Sequence, residues 1–400
     1  MSAAVATRSG AEGDLVADIL AAVGEALEGV TLPAPLHEPE FRGAEQAYVT
    51  DCIATGWVSS VGGYVDRFER DLAGVMEVEH AVATVNGTAA LHVCLHLAGV
   101  QAGDEVLTPS LTFVATVNAI RYQNATPHFV DSEAVTLGVD PLRLEAYLAE
   151  AAELRDGVCV NRATGAAIRA LMVVHVFGHP CDLDGLAAVA ARWNLVLIED
   201  AAEAVGSRWR GRSVGGAGRL AAVSFNGNKI VTTGGGGAVL TRDPALARRA
   251  RHLTTTAKVA HAWAFDHDAV GWNYRMPNIN AALGCAQLER LPDMIARKTR
   301  VAEHYARAFD RVQGARLLRP QADARVNHWL NAVILDQPDR ALRDRLLEAL
   351  NAAGYGARPL WTLMHRLPMY ADCPRDGLPV AESLEDRVIN LPSSARLAER

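Results

Sequence analysis

The chain has 400 residues, with 39 Lys+Arg against 46 Asp+Glu for a net charge of -7, and 50% apolar and 21% charged side chains. This composition excludes a collagen repeat, a coiled coil and wholesale disorder, and a chain of this length buries about three quarters of its extended surface in two or three domains. The acidic balance argues against a general binder of nucleic-acid backbones, which needs a basic face to displace counterions.

The first dozen residues read as a mobile terminus, and Asp14 to Leu27 (DLVADILAAVGEAL) has the apolar spacing of a helix. It leads into the Pro-broken stretch Leu32 to Pro39, which is expected to form an arm outside the main core. A second helical tract around Gly43 to Ala54 precedes the loop GWVSSVGGY (Gly56 to Tyr64), a candidate surface for ligand or partner contact. From His80 to about Thr241, short runs rich in Val, Leu and Ile alternate with helical periods. Such alternation predicts an α/β/α sandwich with a mostly parallel sheet covered on both faces. Asn278 to Asp310 reads as two helical tracts joined at Leu291-Pro292, and the remainder as a smaller α+β domain. The expected division is 1–40 as N-terminal arm and helix, 41–277 as the large α/β domain, and 278–400 as connecting helices and small domain.

No window approaches 18 uninterrupted apolar residues, and MSAAVATRSGAEG lacks the basic-then-apolar order of a secretory leader. Six dispersed cysteines without a C-x-x-C pair favour neither a zinc site nor a disulfide framework. The expectation is a cytoplasmic protein that does not enter a membrane.

In an open α/β sheet ligands sit beyond the carboxyl ends of the strands, and four places carry polar residues there. Asn86-Gly87-Thr88-Ala89 turns a strand into a helix, so free N–H groups, the positive dipole end and a hydroxyl suit a phosphate; its ordinary reading is a tight turn capped by Thr88. Asp200 in LVLIEDAAEAVGS is either a helix cap or the partner of a cationic ligand group. Lys229 in SFNGNKIVTTGGGG is either a solvated loop charge or a desolvated amine able to condense with an aldehyde. Asn273, Tyr274 and Arg275 form a polar loop before a helix that begins near Asn278. A phosphate cradle, an acid for a pyridinium nitrogen, an amine for an aldehyde and further donors together make the parts list for pyridoxal phosphate.

In the order GTAAL, EDAAE, SFNGNK with a Gly-rich tail, and NYRM, the chain resembles the DegT/DnrJ/EryC1/StrS family of sugar aminotransferases over roughly Phe41 to Ser394. The resemblance implies an aspartate aminotransferase-like, fold-type I three-layer α/β/α sandwich with a smaller C-terminal α+β domain. It implies Lys229 as the cofactor-joining amine and proton shuttle, and Asp200 on the pyridine nitrogen. Gly87, Thr88, Ala89 and Ser224 fall at the phosphate, with Asn273 reaching it from the second subunit of a homodimer. Phe113 is implied to stack on the cofactor ring, although its local pattern equally suits a core helix residue. Glu203 falls near the cofactor's phenolic edge, where a second carboxylate is repelled unless protonated or turned away.

The segments GWVSS, SFNGNK, NHWLNAVIL and RPLWTLMHRLPMY with INLPSS resemble the bacillosamine and legionaminic acid subgroup. They imply glutamate as donor and UDP-linked 4-keto-6-deoxy-N-acetylglucosamine as the nucleotide-sugar substrate, contacted through Trp57, Ser59, His328 and Trp329. A 3-keto sugar, a keto-cyclitol, or a non-catalytic regulator on the same fold are the alternatives. His92 and His96 stand four apart on a helix but have no third ligand nearby, and His175 and His179 flank a turn, so no metal site is expected.

Overall fold

The computed structural model describes residues 15–399; the terminus expected to be mobile lies outside them. Seven strands make the large sheet: β1 (His80–Thr84), β2 (Glu105–Pro109), β3 (Thr126–Val130), β4 (Ile168–Val174), β5 (Val196–Asp200), β6 (Leu220–Ser224) and β7 (Gly237–Thr241). Their spatial order is β1-β7-β6-β5-β4-β2-β3. The pairs β3/β2, β2/β4, β4/β5 and β5/β6 are parallel, and β7 runs antiparallel to both β6 and β1.

Alternating side chains divide between two apolar layers. Ala81, Ala83, Leu107, Leu171, Val173, Leu197, Ala221 and Val223 face one cluster with Phe68 and Leu72 of the helix Gly63–Val75. Val82, Val106, Ala170, Met172, Ile198 and Ala222 face the other with Ala90, Val93 and Cys94 of the helix Gly87–Leu97. Both faces are thereby covered, and the strands read as continuous apolar runs for that reason. The sandwich expected from the sequence is present, with β7 as its one antiparallel member.

Two expectations are corrected. Asn278–Phe309 is a single helix with Pro292 inside it, not two tracts joined at Leu291-Pro292. An internal proline costs about 3 kcal/mol, but the helix is buried on both sides of it. Leu291, Met294 and Ile295 pack into the large-sheet cluster, and Val301, Tyr305 and Ala308 into a separate one. Burial of that many apolar side chains, each contributing about 1.5–3 kcal/mol, outweighs the break. Nor does the N-terminal stretch stand apart. The helix over residues 15–26 buries Ile19, Val23 and Ala26 against Tyr305, Leu346 and Leu350. Ala34 is then bonded to both sides of the 354–356 turn, its N–H to Gly354 C=O at 2.9 Å and its C=O to Gly356 N–H at 2.8 Å.

A four-stranded antiparallel sheet, Ala315–Leu317, Asn331–Leu335, Val388–Leu391 and Arg358–Pro359, forms the second layer over this cluster. No described helix is long and apolar enough to cross a membrane.

Candidate active site

A cavity of about 410 Å³ opens beyond the ends of β1, β5 and β6. At the end of β1, Asn86 turns the chain into the helix Gly87–Leu97 and caps it, its Oδ1 accepting the Ala89 N–H at 2.7 Å. The cap is Asn86 and not Thr88, so the Thr88 hydroxyl is free of that duty. First-turn N–H groups have no intrahelical acceptor, and those of Gly87 and Thr88 stay on the cavity wall. A Cβ on Gly87 would lie 2.8 Å from Ser224 Cβ, so only glycine lets the helix start meet β6. A Cβ on Gly237 would lie 2.5 Å from the Asn86 carbonyl, which sets the same requirement on β7.

β5 delivers Asp200, 4% exposed. Its Oδ2 accepts the Thr116 hydroxyl at 2.7 Å and its Oδ1 the Ala202 N–H at 3.1 Å; Thr116 is in turn 2.7 Å from Thr112. Burial raises the Asp200 carboxyl above the ordinary aspartate range despite these donors and the Lys229 charge. The preceding Glu199 bonds His175 Nε2 at 3.0 Å, and His175 Nδ1 accepts the Cys181 N–H at 3.2 Å. An Nδ1 that accepts carries no proton, so His175 is the neutral Nε2–H tautomer.

Lys229 follows β6 and a turn closed by its own N–H to Asn226 C=O at 2.9 Å. Its Nζ lies 3.2 Å from Glu203 Oε1 and 3.9 Å from the centroid of the Trp329 ring. The amine is thus held between a carboxylate and an aromatic face. Glu203 is divided between two donors, its Oε2 accepting the Phe177 N–H at 2.9 Å, and burial raises its carboxyl above the usual range. The Glu203 carboxylate is thus turned onto Lys229 and the Phe177 backbone.

Trp329 is fixed from three sides. Its indole N–H donates to Asn228 C=O at 2.7 Å, its backbone N–H to Asn327 Oδ1 at 2.9 Å, and its carbonyl accepts the buried Lys298 Nζ at 3.2 Å. Asn327 also donates to the carbonyls of Glu203 and Val205. The loop that bears Trp329 is therefore tied to the loop that bears Glu203.

Gly87, Thr88, Phe113, Asp200, Glu203, Ser224, Lys229 and Trp329 meet in this cavity. Phe113 is not a core residue: it precedes the helix Val114–Tyr122, is 54% exposed, and stands 6.2 Å from Trp361. Ala89 lies behind the wall with its N–H taken by Asn86. Trp57 and Ser59 lie outside the cavity lining, their carbonyls held by the Asn278 amide and N–H while their side chains are exposed. His328 is half-buried beside the cavity, where burial lowers its imidazole to about 4. Asn273 is exposed and outside the lining. His92 and His96 pack on Trp272, at 4.8 and 5.1 Å between ring centroids. Among the described residues no three His, Cys, Asp or Glu side chains are grouped to hold a metal. Thr112 and Thr116 were not anticipated, and their spacing of four at a helix start is the one local signal they carry; Asn86 and Trp361 were read only as members of the motifs around them.

A buried acid, a glycine-cleared helix end with an adjacent serine, and a shielded lysine amine fit pyridoxal phosphate group by group. The model of the DegT/DnrJ/EryC1/StrS aminotransferase family matches residues 39–400. A GDP-perosamine synthase from Caulobacter vibrioides is 39% identical, with 90% of this chain and 93% of that protein covered. A Bacillus subtilis protein described as a putative pyridoxal phosphate-dependent aminotransferase, EpsN, is 34% identical, with 91% and 92% covered. The crystal structure of the aminotransferase TlmJ from Streptoalloteichus hindustanus superposes with a TM-score of 0.80 at 30% identity, covering 90% of this chain and 93% of that one. The chain belongs to the DegT/DnrJ/EryC1/StrS family and is a pyridoxal phosphate-dependent sugar aminotransferase of fold type I.

Proposed function

We propose that the chain transfers an amino group from glutamate to C4 of a nucleotide-linked 4-keto-6-deoxy hexose, acting in the cytoplasm as a homodimer with shared active sites. The observation that carries this reading is the convergence of Asp200, Lys229 and the Gly87 helix start on one cavity. Bound pyridoxal phosphate would supply an electron sink for the carbanion left when the donor carbon loses its proton. Asp200 holds the proton on the pyridine nitrogen, a cation that offsets the burial of the carboxylate. The N–H groups of Gly87 and Thr88, the Thr88 hydroxyl and Ser224 Oγ hold the phosphate. Phe113 covers the ring. Lys229 Nζ takes a proton from the donor carbon and returns one to the sugar carbon, while Glu203 and Trp329 keep that amine within reach of both. Asn273, exposed on its own chain, reaches the phosphate of the neighbouring subunit.

The Caulobacter relative is by name a GDP-perosamine synthase, and its 39% identity favours a GDP-linked sugar for this chain. The segments GWVSS, SFNGNK, NHWLNAVIL and RPLWTLMHRLPMY with INLPSS support a second reading, UDP-linked 4-keto-6-deoxy-N-acetylglucosamine. The purified holoenzyme, given glutamate and each sugar in turn, is expected to release 2-oxoglutarate and the 4-amino sugar, identified by mass. A kcat/KM at least about tenfold higher for the GDP-linked sugar is expected, the discrimination typical of a few differing contacts. Turnover of only 3-keto sugars or a keto-cyclitol would overturn the C4 assignment and leave the transamination standing.

A further inference from the structure

Behind Trp329 lies a second cavity of about 450 Å³, which shares Asn228, Trp329 and Trp361 with the chamber around Lys229. Its wall is assembled from distant segments. The 36–38 stretch is strung against the end of the chain: Leu36 C=O accepts the Ser393 N–H at 2.8 Å, and the Glu38 N–H donates to Ser394 Oγ at 3.0 Å. His37 is thereby presented to the cavity, which Asn390 of the strand Val388–Leu391 also lines. Phe177 and Trp361, with ring centroids 5.2 Å apart, supply an aromatic side.

Two polar atoms here are left over. His37 Nδ1 and Asn390 Oδ1 are both buried and have no hydrogen-bond partner among the described residues, although Asn390 is only 4% exposed. Buried polar groups are nearly always paired, so two orphans on one cavity wall call for an occupant. Their chemistry says which kind. Burial, and then the Lys298 and Lys229 charges, hold His37 well below the usual imidazole range against the raising effect of the Asn228 backbone, so the ring is neutral. A neutral imidazole has one bare ring nitrogen, and the unpartnered Nδ1 is open to serve as that acceptor beside the amide oxygen. Two acceptors repel a carboxylate and suit O–H donors, and the aromatic side suits the apolar face of a ring. Arg358 is the one cation of the lining and stands at the exposed edge, its Nη1 on Ala357 C=O at 2.8 Å.

We propose that this cavity is the subsite for the hexose of the nucleotide-linked substrate, whose ring hydroxyls donate to His37 Nδ1 and Asn390 Oδ1 while its diphosphate lies toward Arg358. The assignment rests on the nucleotide-sugar reading above. It makes the N-terminal stretch part of the specificity wall. A hexose seated there enters the Lys229 chamber past Asn228, so the two acceptors select which ring carbon arrives at the amine.

Titration calorimetry on the holoenzyme tests this with non-reacting probes, GDP-mannose and UDP-N-acetylglucosamine, each against its free nucleoside diphosphate. For the wild type the hexose is expected to tighten binding. In His37→Phe and in Asn390→Leu that gain is expected to fall about tenfold, the loss typical of one hydrogen bond, with the free nucleotide unaffected. Glutamate alone is expected to bleach the cofactor's visible band as in the wild type. A gain retained in both variants overturns the subsite while the nucleotide-sugar reading stands. Weakened glutamate binding in place of weakened sugar binding assigns the cavity to the donor and also overturns it. If no hexose tightens wild-type binding, the nucleotide-sugar reading falls and the subsite with it. His37→Phe keeps the ring volume on a segment outside the helices and decides the matter should Asn390→Leu fail to fold.

Discussion

Glu199 and Asp200 are neighbours at the end of one buried strand, yet they stand on opposite faces of the sheet and the fold treats them oppositely. Glu199 accepts the N–H groups of Gly215, Ala217 and Gly218 at 2.6, 2.8 and 2.7 Å as well as His175. Burial raises its carboxyl, but the bonds from His175 and these backbone donors outweigh it, and the group ends below the ordinary glutamate range. Asp200 has two donors, burial prevails, and the group ends above its ordinary range. At equal depth, a saturated carboxylate organises the loops around it, whereas an under-satisfied one facing a cavity is poised for a cation.

The largest effect that separates the two faces is expected from Asp200→Asn. The fold is kept, but an amide cannot stabilise a pyridinium charge, and the rate should fall about a hundredfold to a thousandfold. In the cofactor-free protein the same change should favour stability increasingly as pH rises. A carboxyl raised in the folded state binds its proton more tightly there, so the wild type loses stability as pH climbs from the unfolded value of about 3.9 through the raised one. Unfolding curves across that range, together with turnover of the holoenzyme, check both halves. An unchanged rate would reduce Asp200 to a local anchor.

Glu199→Gln is expected to do the converse. The amide turns an N–H2 group toward buried donors that the carboxylate had accepted, which costs about 1–3 kcal/mol of stability, while turnover per folded, cofactor-loaded molecule should stay within about twofold. The stability that Glu199 contributes is present at neutral pH and is lost as pH falls below about 4.3 through its lowered value, so the Gln variant should show a flatter acid limb. Lost turnover at unchanged stability would mean that the two faces had exchanged roles.

The sequence made one of these carboxylates conspicuous and left the other silent. Asp200, Lys229, Gly87 and Thr88 were legible because each sits in a contiguous motif at a strand end, where local chain order and cavity position coincide. Glu199 reads as one more strand residue, since its donors come from loops some 16 to 19 positions away in the chain. His37 was silent for the same reason, and Trp361 and Asn390 were read only as members of the segments RPLWTLMHRLPMY and INLPSS, because the three segments are distant in the chain and meet only in the fold. Pro292 misled for the opposite reason. A strong local breaker was read at face value, and burial on both sides of it decided the outcome. The alternation of the seven strands was legible because two-sided burial writes itself into every residue of a strand.

The smallest effect sharpens the comparison most, because it adjusts the satisfaction of Asp200 without touching the carboxylate. Thr116→Val is nearly isosteric and removes only the hydroxyl 2.7 Å from Asp200 Oδ2. Thr112 keeps a second acceptor, the Phe113 carbonyl at 3.4 Å, so the loop before the helix should hold its place. The Thr116 bond lowers the Asp200 carboxyl against the effect of burial, and its loss moves the group further up. A deleted hydrogen bond to a charged group is worth about 1.5–3 kcal/mol, but the pyridinium partner should offset part of that in the holoenzyme. The expected rate loss is thus about tenfold or less, with the acid limb of the pH–rate profile displaced toward higher pH. A structural defect alone would lower the rate at every pH equally. If the limb does not move, Thr116 merely packs, and the state of Asp200 is set by burial and its ligand alone.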